Sequence, residues 1–149
     1  MTQQWNKGLA GNAGVYLAAW QLSRVGFAVA VTSRNMKGPD LIAINEESES
    51  FSIQVKASAG LIQDVSFGLG PVTVREPWWI FVAHAMTSTP AFYVLSRENV
   101  VANLGQDSGV RSRKAAEERL WWFPARNRCR PGHIDELIEY RDAWHKLHL

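Results

Sequence analysis

Cysteine is almost missing from this chain of 149 residues: Cys129 is the only one. A lone thiol excludes an internal disulfide and any zinc site built from several cysteines. The four histidines, His84, His133, His145 and His148, are scattered and form no ligand cluster. Long apolar runs are missing too. The longest spans six residues, against the roughly 20 that a membrane helix needs. No glycine-rich loop of the G-x-x-x-x-G-K type is present, and no strand–helix–strand alternation, so a dinucleotide- or nucleotide-binding fold of that kind is excluded. There is no internal repeat and no low-complexity segment. The opening "MTQQWNKGLAGN" lacks the charged-then-apolar order of a secretory leader, so the expected compartment is the cytoplasm.

Charge of one sign is scarce overall, with a net of +2, but it is unevenly placed. Between residues 111 and 130 stand Arg111, Arg113, Lys114, Arg119, Arg126, Arg128 and Arg130, against Glu117 and Glu118. That stretch carries +5 and leaves about −3 for the rest of the chain. Trp121, Trp122 and Phe123 lie inside it. Basic side chains interleaved with aromatics can attract phosphates and stack bases; a solvated helix face followed by core aromatics gives the same pattern.

The apolar share of 46% and charged share of 20% fit a globular chain of one domain, spanning residues 1–149. Val15, Ala18, Ala19, Leu22 and Val25 recur at helical spacing and predict a helix from about Asn12 to Gly26, with the glycine ending it in a left-handed conformation. "FAVAVT", "DLIAIN" and "FSIQVKA" predict three strands, the first two joined by the turn "SRNMKGP" and the last two by the acidic loop "EESES". Residues 58–77 give a weak signal with room for a short hairpin. "WWIFVAHA" and "AFYVLS" predict two more strands, and Ser96 is placed to cap a helix over "RENVVANL". A basic helix near Arg111–Leu120 and a final helix near Ile134–Leu147 complete the expected order, the latter with Ile134, Leu137, Ile138, Trp144 and Leu147 near one face. Helix, three strands in a meander, two strands and then helices describe an α+β domain around a mixed sheet.

Within that order, Asp40 opens the second strand, and Gln54 and Lys56 lie on the third. If the acidic loop pairs these strands, Asp40 comes beside Gln54 and Lys56, which share a face at spacing two. Val55 then points to the other face, with Ile53 and Phe51, into the core. A carboxylate, an amide oxygen and the Val55 backbone carbonyl are hard ligands suited to Mg²⁺ or Mn²⁺. The ammonium of Lys56 can position a water or stabilise charge on a phosphate. The same triplet also reads as an ion pair between Lys56 and Asp40 on the rim of a half-exposed strand.

"GPDLIAI" followed by "FSIQVKAS" resembles the core signature of the PD-(D/E)XK, or restriction-endonuclease-like, nuclease superfamily, in the variant where glutamine replaces the strand acid. "GNAGVYLAAWQLSRVGFAVAVTSRNMKGPD", "WWIFVAHA", "FYVLSRENVV" and "YRDAW" are similar to a group of prokaryotic nuclease-like proteins, so the likeness runs from about residue 8 to residue 147. The resemblance implies a central four-stranded mixed sheet flanked by helices, dependence on Mg²⁺ or Mn²⁺, and cleavage of DNA, with RNA as the alternative substrate. Carried over, Asp40 is a metal ligand, Gln54 a weaker ligand or water-orienting group, and Lys56 the catalytic lysine. Homodimers are frequent in that superfamily. One position departs: where such nucleases carry a glutamate on the first helix, this chain has Val15, and the helix holds no acid at all. The sources open for a second acid are Asp64 or Glu76 in the irregular segment and a dimer partner; failing these, the fold serves as a nucleic-acid- or protein-binding module without chemistry.

The remaining polar candidates are Arg34, Asn35 and Lys37, in a turn at the mouth of the expected site, where they either contact a phosphate or simply supply turn chemistry with Gly38. Trp78 and Trp79 are expected to pack on opposite faces of their strand, Trp5 and Trp20 to lie in the core or an interface, and His84 to be a half-buried strand residue. Cys129, in "RNRCRPG", has no partner pattern that makes it a nucleophile.

Overall fold

The computed structural model describes residues 7–33, 37–60, 65–69, 74–103, 105–106, 120–123 and 138–148. Arg34, Asn35, Asp64, Arg111, Arg113, Lys114, Arg126, Arg128, Arg130, Cys129 and Trp5 lie outside them, as do most of the expected basic helix and the first part of the expected final helix.

The chain opens with helix α1 (Lys7–Arg24) and continues through strands β1 (Ala28–Val31), β2 (Leu41–Ile44), β3 (Ser50–Ala57), β4 (Val65–Leu69), β5 (Trp78–Ala83) and β6 (Ala91–Ser96). Helix α2 (Arg97–Asn103) and strands β7 (Gly105–Gln106) and β8 (Leu120–Phe123) follow, and a 3₁₀ turn covers Trp144–His148. A five-stranded sheet runs in the order β1-β2-β3-β5-β6. Its β3–β5 pair is parallel and its other pairs antiparallel. This is the expected α+β architecture with a mixed sheet, one strand wider than the resemblance implies. No described helix is long and apolar enough to cross a membrane.

One face of the sheet is covered from β2 to β6, and the other is covered at β5 and β6. One face carries Leu41, Ala43, Ile53, Val55, Ile80, Val82, Phe92 and Val94, packed against Ala18 and Leu22 of α1 and against Trp144 and Leu147. Trp79, Phe81, Tyr93 and Leu95 occupy the other, with Val100 of α2 and Tyr140. Strands covered on both sides read as continuous apolar runs rather than alternating ones, which explains "WWIFVA" and "AFYVL". Each fully buried Leu or Ile contributes about 1.5–3 kcal/mol. Trp79 is buried in the second cluster and Trp78 packs on the first, so the two tryptophans divide between the faces as expected.

Several local signals operate as the sequence implies. Gly26 ends α1 with φ +104°. The acidic loop closes a tight hairpin: Glu49 N donates to Asn45 Oδ1 at 2.8 Å and Asn45 N to the Glu49 carbonyl at 3.0 Å. Ser96 caps α2 reciprocally, accepting from Asn99 N at 3.1 Å while its own N–H donates to Asn99 Oδ1 at 3.1 Å. Gly14 is required by close approach, because a Cβ there would overlap the Cβ of Ala57; α1 can lie flat on β3 only with a hydrogen at that position.

Three expectations are corrected. β4 does form inside the weakly patterned segment, but it pairs with β8 and not in a local hairpin. Leu120 belongs to that strand, together with Trp121, Trp122 and Phe123. The strand "WWIFVAHA" stops at Ala83, because His84 takes a left-handed conformation (φ +53°) and its carbonyl accepts the Thr87 N–H at 3.0 Å, starting a turn. Finally, residues 138–148 are not an α-helix. Arg141 bridges to Tyr93 and Asp142 N donates to the Phe92 carbonyl at 3.0 Å. Asp142 has φ +49°. Pairing with the outer edge of β6 competes successfully with helix continuation there. Ile138 is consequently 61% exposed, whereas Trp144 and Leu147 are buried.

Candidate active site

The site is built where β2 begins. β2 pairs with β3 from Leu41↔Ile53 to Ile44↔Ser50, whereas β3 continues alongside β5 as far as Ala57↔Val82. Past Ile53, β3 therefore has a neighbour on the β5 side and no paired strand residue of β2. Asp40 stands at that opening, one residue ahead of the strand it was expected to open. Its N–H donates to the Ile53 carbonyl at 3.0 Å, and its own carbonyl accepts the Thr32 N–H at 3.0 Å. Its side chain turns onto β3: Oδ2 accepts the backbone N–H of Val55 at 2.8 Å. The carboxylate stands where a further ladder carbonyl would have been. The Thr32 hydroxyl secures the same segment, donating to the carbonyls of Pro39 and Asp40.

Gln54 and Lys56 alternate with Ile53 and Val55. In register they lie beside Trp79 and Phe81, so they belong to the face of the sheet opposite α1. Both are half-buried. Val55 is buried against the α1 cluster, as the alternation requires. Lys37, at the mouth of the turn, is exposed, and Gly38 has φ +139°.

A cleft of about 390 Å³ opens between the first half of α1 and the ends of β1 and β2. Asp40, Gln54 and Val55 line it, and Lys56 does not. Its other polar lining comes from Asn12 and Tyr16 on α1 and from Thr32 and Ser33 after β1. Asn12 and Tyr16 are functional candidates that motif reading passes over. The signal for Asn12 was present: it stands one turn before Val15, which also lines the cleft, and residues three apart on a helix are neighbours.

Among the described residues, Asp40 is the one acidic side chain that lines the cleft. Among the described residues no group of three or more His, Cys, Asp or Glu is placed to hold a metal. The oxygens of Asp40, Gln54 and Asn12 are hard donors, of the type that suits Mg²⁺ rather than Zn²⁺. With a single carboxylate, an ion here would take its other ligands from water and a phosphate, which is the common way Mg²⁺ is held. Glu76, one of the sources open for a second acid, lies beside β5, where its carbonyl accepts the Trp79 Nε1–H at 2.9 Å; it does not line the cleft.

No family model and no curated protein matches the chain. Among solved structures, a bacterial homing endonuclease is similar over 96% of this chain and 93% of its own, with a TM-score of 0.59 and 14% sequence identity. At that identity the likeness is one of fold alone.

Proposed function

We propose, from the premise of a fold shared with a homing endonuclease, that this chain hydrolyses phosphodiester bonds in DNA, in the manner of the PD-(D/E)XK enzymes its strand motif resembles. The observation that carries this reading is the fixed carboxylate of Asp40, locked onto Val55 N–H at 2.8 Å in a cleft that Gln54 also lines. Asp40, Gln54 and the Val55 backbone carbonyl would hold Mg²⁺ or Mn²⁺. The ion would supply charge neutralisation at the phosphate and acidify a bound water. Lys56, which shares the Gln54 face of β3 and does not line the cleft, would stabilise from there the charge that builds on the phosphate oxygens. The water oxygen would bond to phosphorus as the P–O bond to the leaving strand breaks, the water giving up one proton to solvent and the leaving oxygen taking one from it. Lys37, with Arg34 and Asn35 of the same sequence turn, would contact the phosphate backbone. Arg111, Arg113, Lys114, Arg126, Arg128 and Arg130 would supply the longer-range attraction.

The test is cleavage of plasmid and branched DNA, and of RNA, in Mg²⁺ or Mn²⁺. Wild type is expected to cut and Lys56→Ala to be inactive; equal behaviour of the two across all substrates would overturn the catalytic reading. A second reading has its own support. Asp40 is the one acid among the described lining residues, with Val15 and Gln54 where the nucleases its motif resembles carry acids. A protein of this kind would bind nucleic acid without cutting it. DNA binding in EDTA that survives Asp40→Ala but weakens in Arg126→Ala and Arg128→Ala, with no cleavage by wild type, is the outcome that selects it.

A further inference from the structure

The outward side of α1 is unusually apolar for an exposed helix face. Leu9, Tyr16 and Trp20 are 56%, 63% and 52% exposed. Spacing of four residues sets Tyr16 and Trp20 in one row, with Asn12 before them and Arg24 after. The row begins in the cleft, because Asn12 and Tyr16 line it together with Asp40. It ends with the Arg24 guanidinium 4.7 Å above the centroid of the Trp20 ring.

A second copy of the chain and a flat-faced ligand are the two occupants that suit exposed rings. Charge decides between them. α1 contains no Asp or Glu, and its charged residues are Lys7 and Arg24, one at each end. Packing α1 against another α1 sets cation against cation in either direction, with no acid on the helix to offset it. A polyanion carrying planar groups satisfies both features, since rings stack on bases and a guanidinium pairs with phosphate. The spacing narrows the ligand further. Four helical residues advance about 6 Å, against about 3.4 Å between nucleotides along one strand of a duplex, so neighbouring rings match bases that are not stacked on one another.

We propose that the row Tyr16, Trp20 and Arg24 holds unpaired nucleotides of a strand that enters the cleft, each ring stacking on one base and Arg24 meeting a phosphate. This rests on the nucleic-acid reading above and adds to it that the ligand has a single-stranded segment beside the cleft. The experiment measures fluorescence anisotropy in EDTA with three labelled DNAs: a blunt duplex, the same duplex with a single-stranded tail, and the tailed duplex with abasic sites in the tail. The tail should tighten binding by roughly tenfold or more, and abasic sites should remove the gain. Trp20→Ala should lose roughly tenfold on the tailed DNA only, while Trp20→Phe keeps most of it. Equal binding of blunt and tailed DNA, or a tail preference unchanged in Trp20→Ala, overturns the proposal. A wild-type dimer that Trp20→Ala converts to monomer in sedimentation, with tail preference intact, overturns it in favour of the second copy. Cleavage of blunt duplex without tail preference sinks this proposal alone. Tail preference without cleavage supports it and sinks the catalytic reading alone, and no binding to any of the three DNAs sinks both.

Discussion

Asp40 Oδ2 accepts the backbone N–H of Val55 at 2.8 Å, so one carboxylate both closes the end of the β2–β3 ladder and faces the cleft. The two duties separate by substitution. Asp40→Asn retains an oxygen acceptor and loses the charge; Asp40→Ala loses both. In urea denaturation Asp40→Ala should fall by about 1–3 kcal/mol, the cost of an unmet backbone donor, and Asp40→Asn by clearly less. Both should abolish cleavage. Equal stability loss in the two variants would mean that charge, and not the hydrogen bond, anchors this segment.

Gly14 tests how closely α1 lies on β3. An added methyl meets the Cβ of Ala57, which is strand backbone territory and cannot swing aside. Gly14→Ala should therefore destabilise by about 1–3 kcal/mol as overpacking, despite the higher helix propensity of alanine. The double variant Gly14→Ala, Ala57→Gly should recover part of the loss, and a thermodynamic cycle on the four proteins reads the coupling directly. Additive effects would show that the helix simply shifts.

The elements that were legible in advance are those whose signals are local. The α1 face and its Gly26 end, the Asn45–Glu49 hairpin, the Ser96 cap and the two-sided apolar runs of β5 and β6 all follow from neighbouring residues. What escaped depends on distant partners. Nothing within residues 58–77 says that β4 pairs with β8, and nothing near Asp142 says that the edge of β6 will take the Asp142 N–H. At the site, the spacing of Gln54 and Lys56 put them on one face from the sequence alone. The cleft itself arises from how α1 lies across the sheet, so Asn12 and Tyr16 became candidates only once that packing was known.

Ser96 offers a check on α2. Its hydroxyl and the Asn99 amide satisfy two end N–H groups reciprocally. Ser96→Ala should cost about 1 kcal/mol and Ser96→Asp should restore most of it, since an acid at a helix start also meets the dipole favourably. Amide exchange across residues 97–103 is the direct measurement, and an unchanged exchange pattern in Ser96→Ala would show that tertiary packing of Val100 alone holds the helix.

The charge of the cleft sets the last expectation. Asp40 is the one acid lining it among the described residues, and Gln54 lies on β3 just past the last β2 pair, Leu41↔Ile53. Gln54→Glu adds a second carboxylate at nearly constant shape. Without a cation the two like charges repel, and the variant should be less stable by up to about 1 kcal/mol at neutral pH, the range for like charges on neighbouring strands. With a divalent cation the sign reverses, because two carboxylates hold Mg²⁺ or Mn²⁺ better than one. A ligand bound only by the folded state stabilises it as the logarithm of its concentration over Kd, so the melting temperature of Gln54→Glu should rise with added Mn²⁺ more steeply than that of wild type. Val15→Glu, reaching the same cleft from α1, should behave alike. If neither variant responds more strongly to Mn²⁺ than wild type, the oxygens of this cleft do not converge on a common point, and the site has to be sought elsewhere on the sheet.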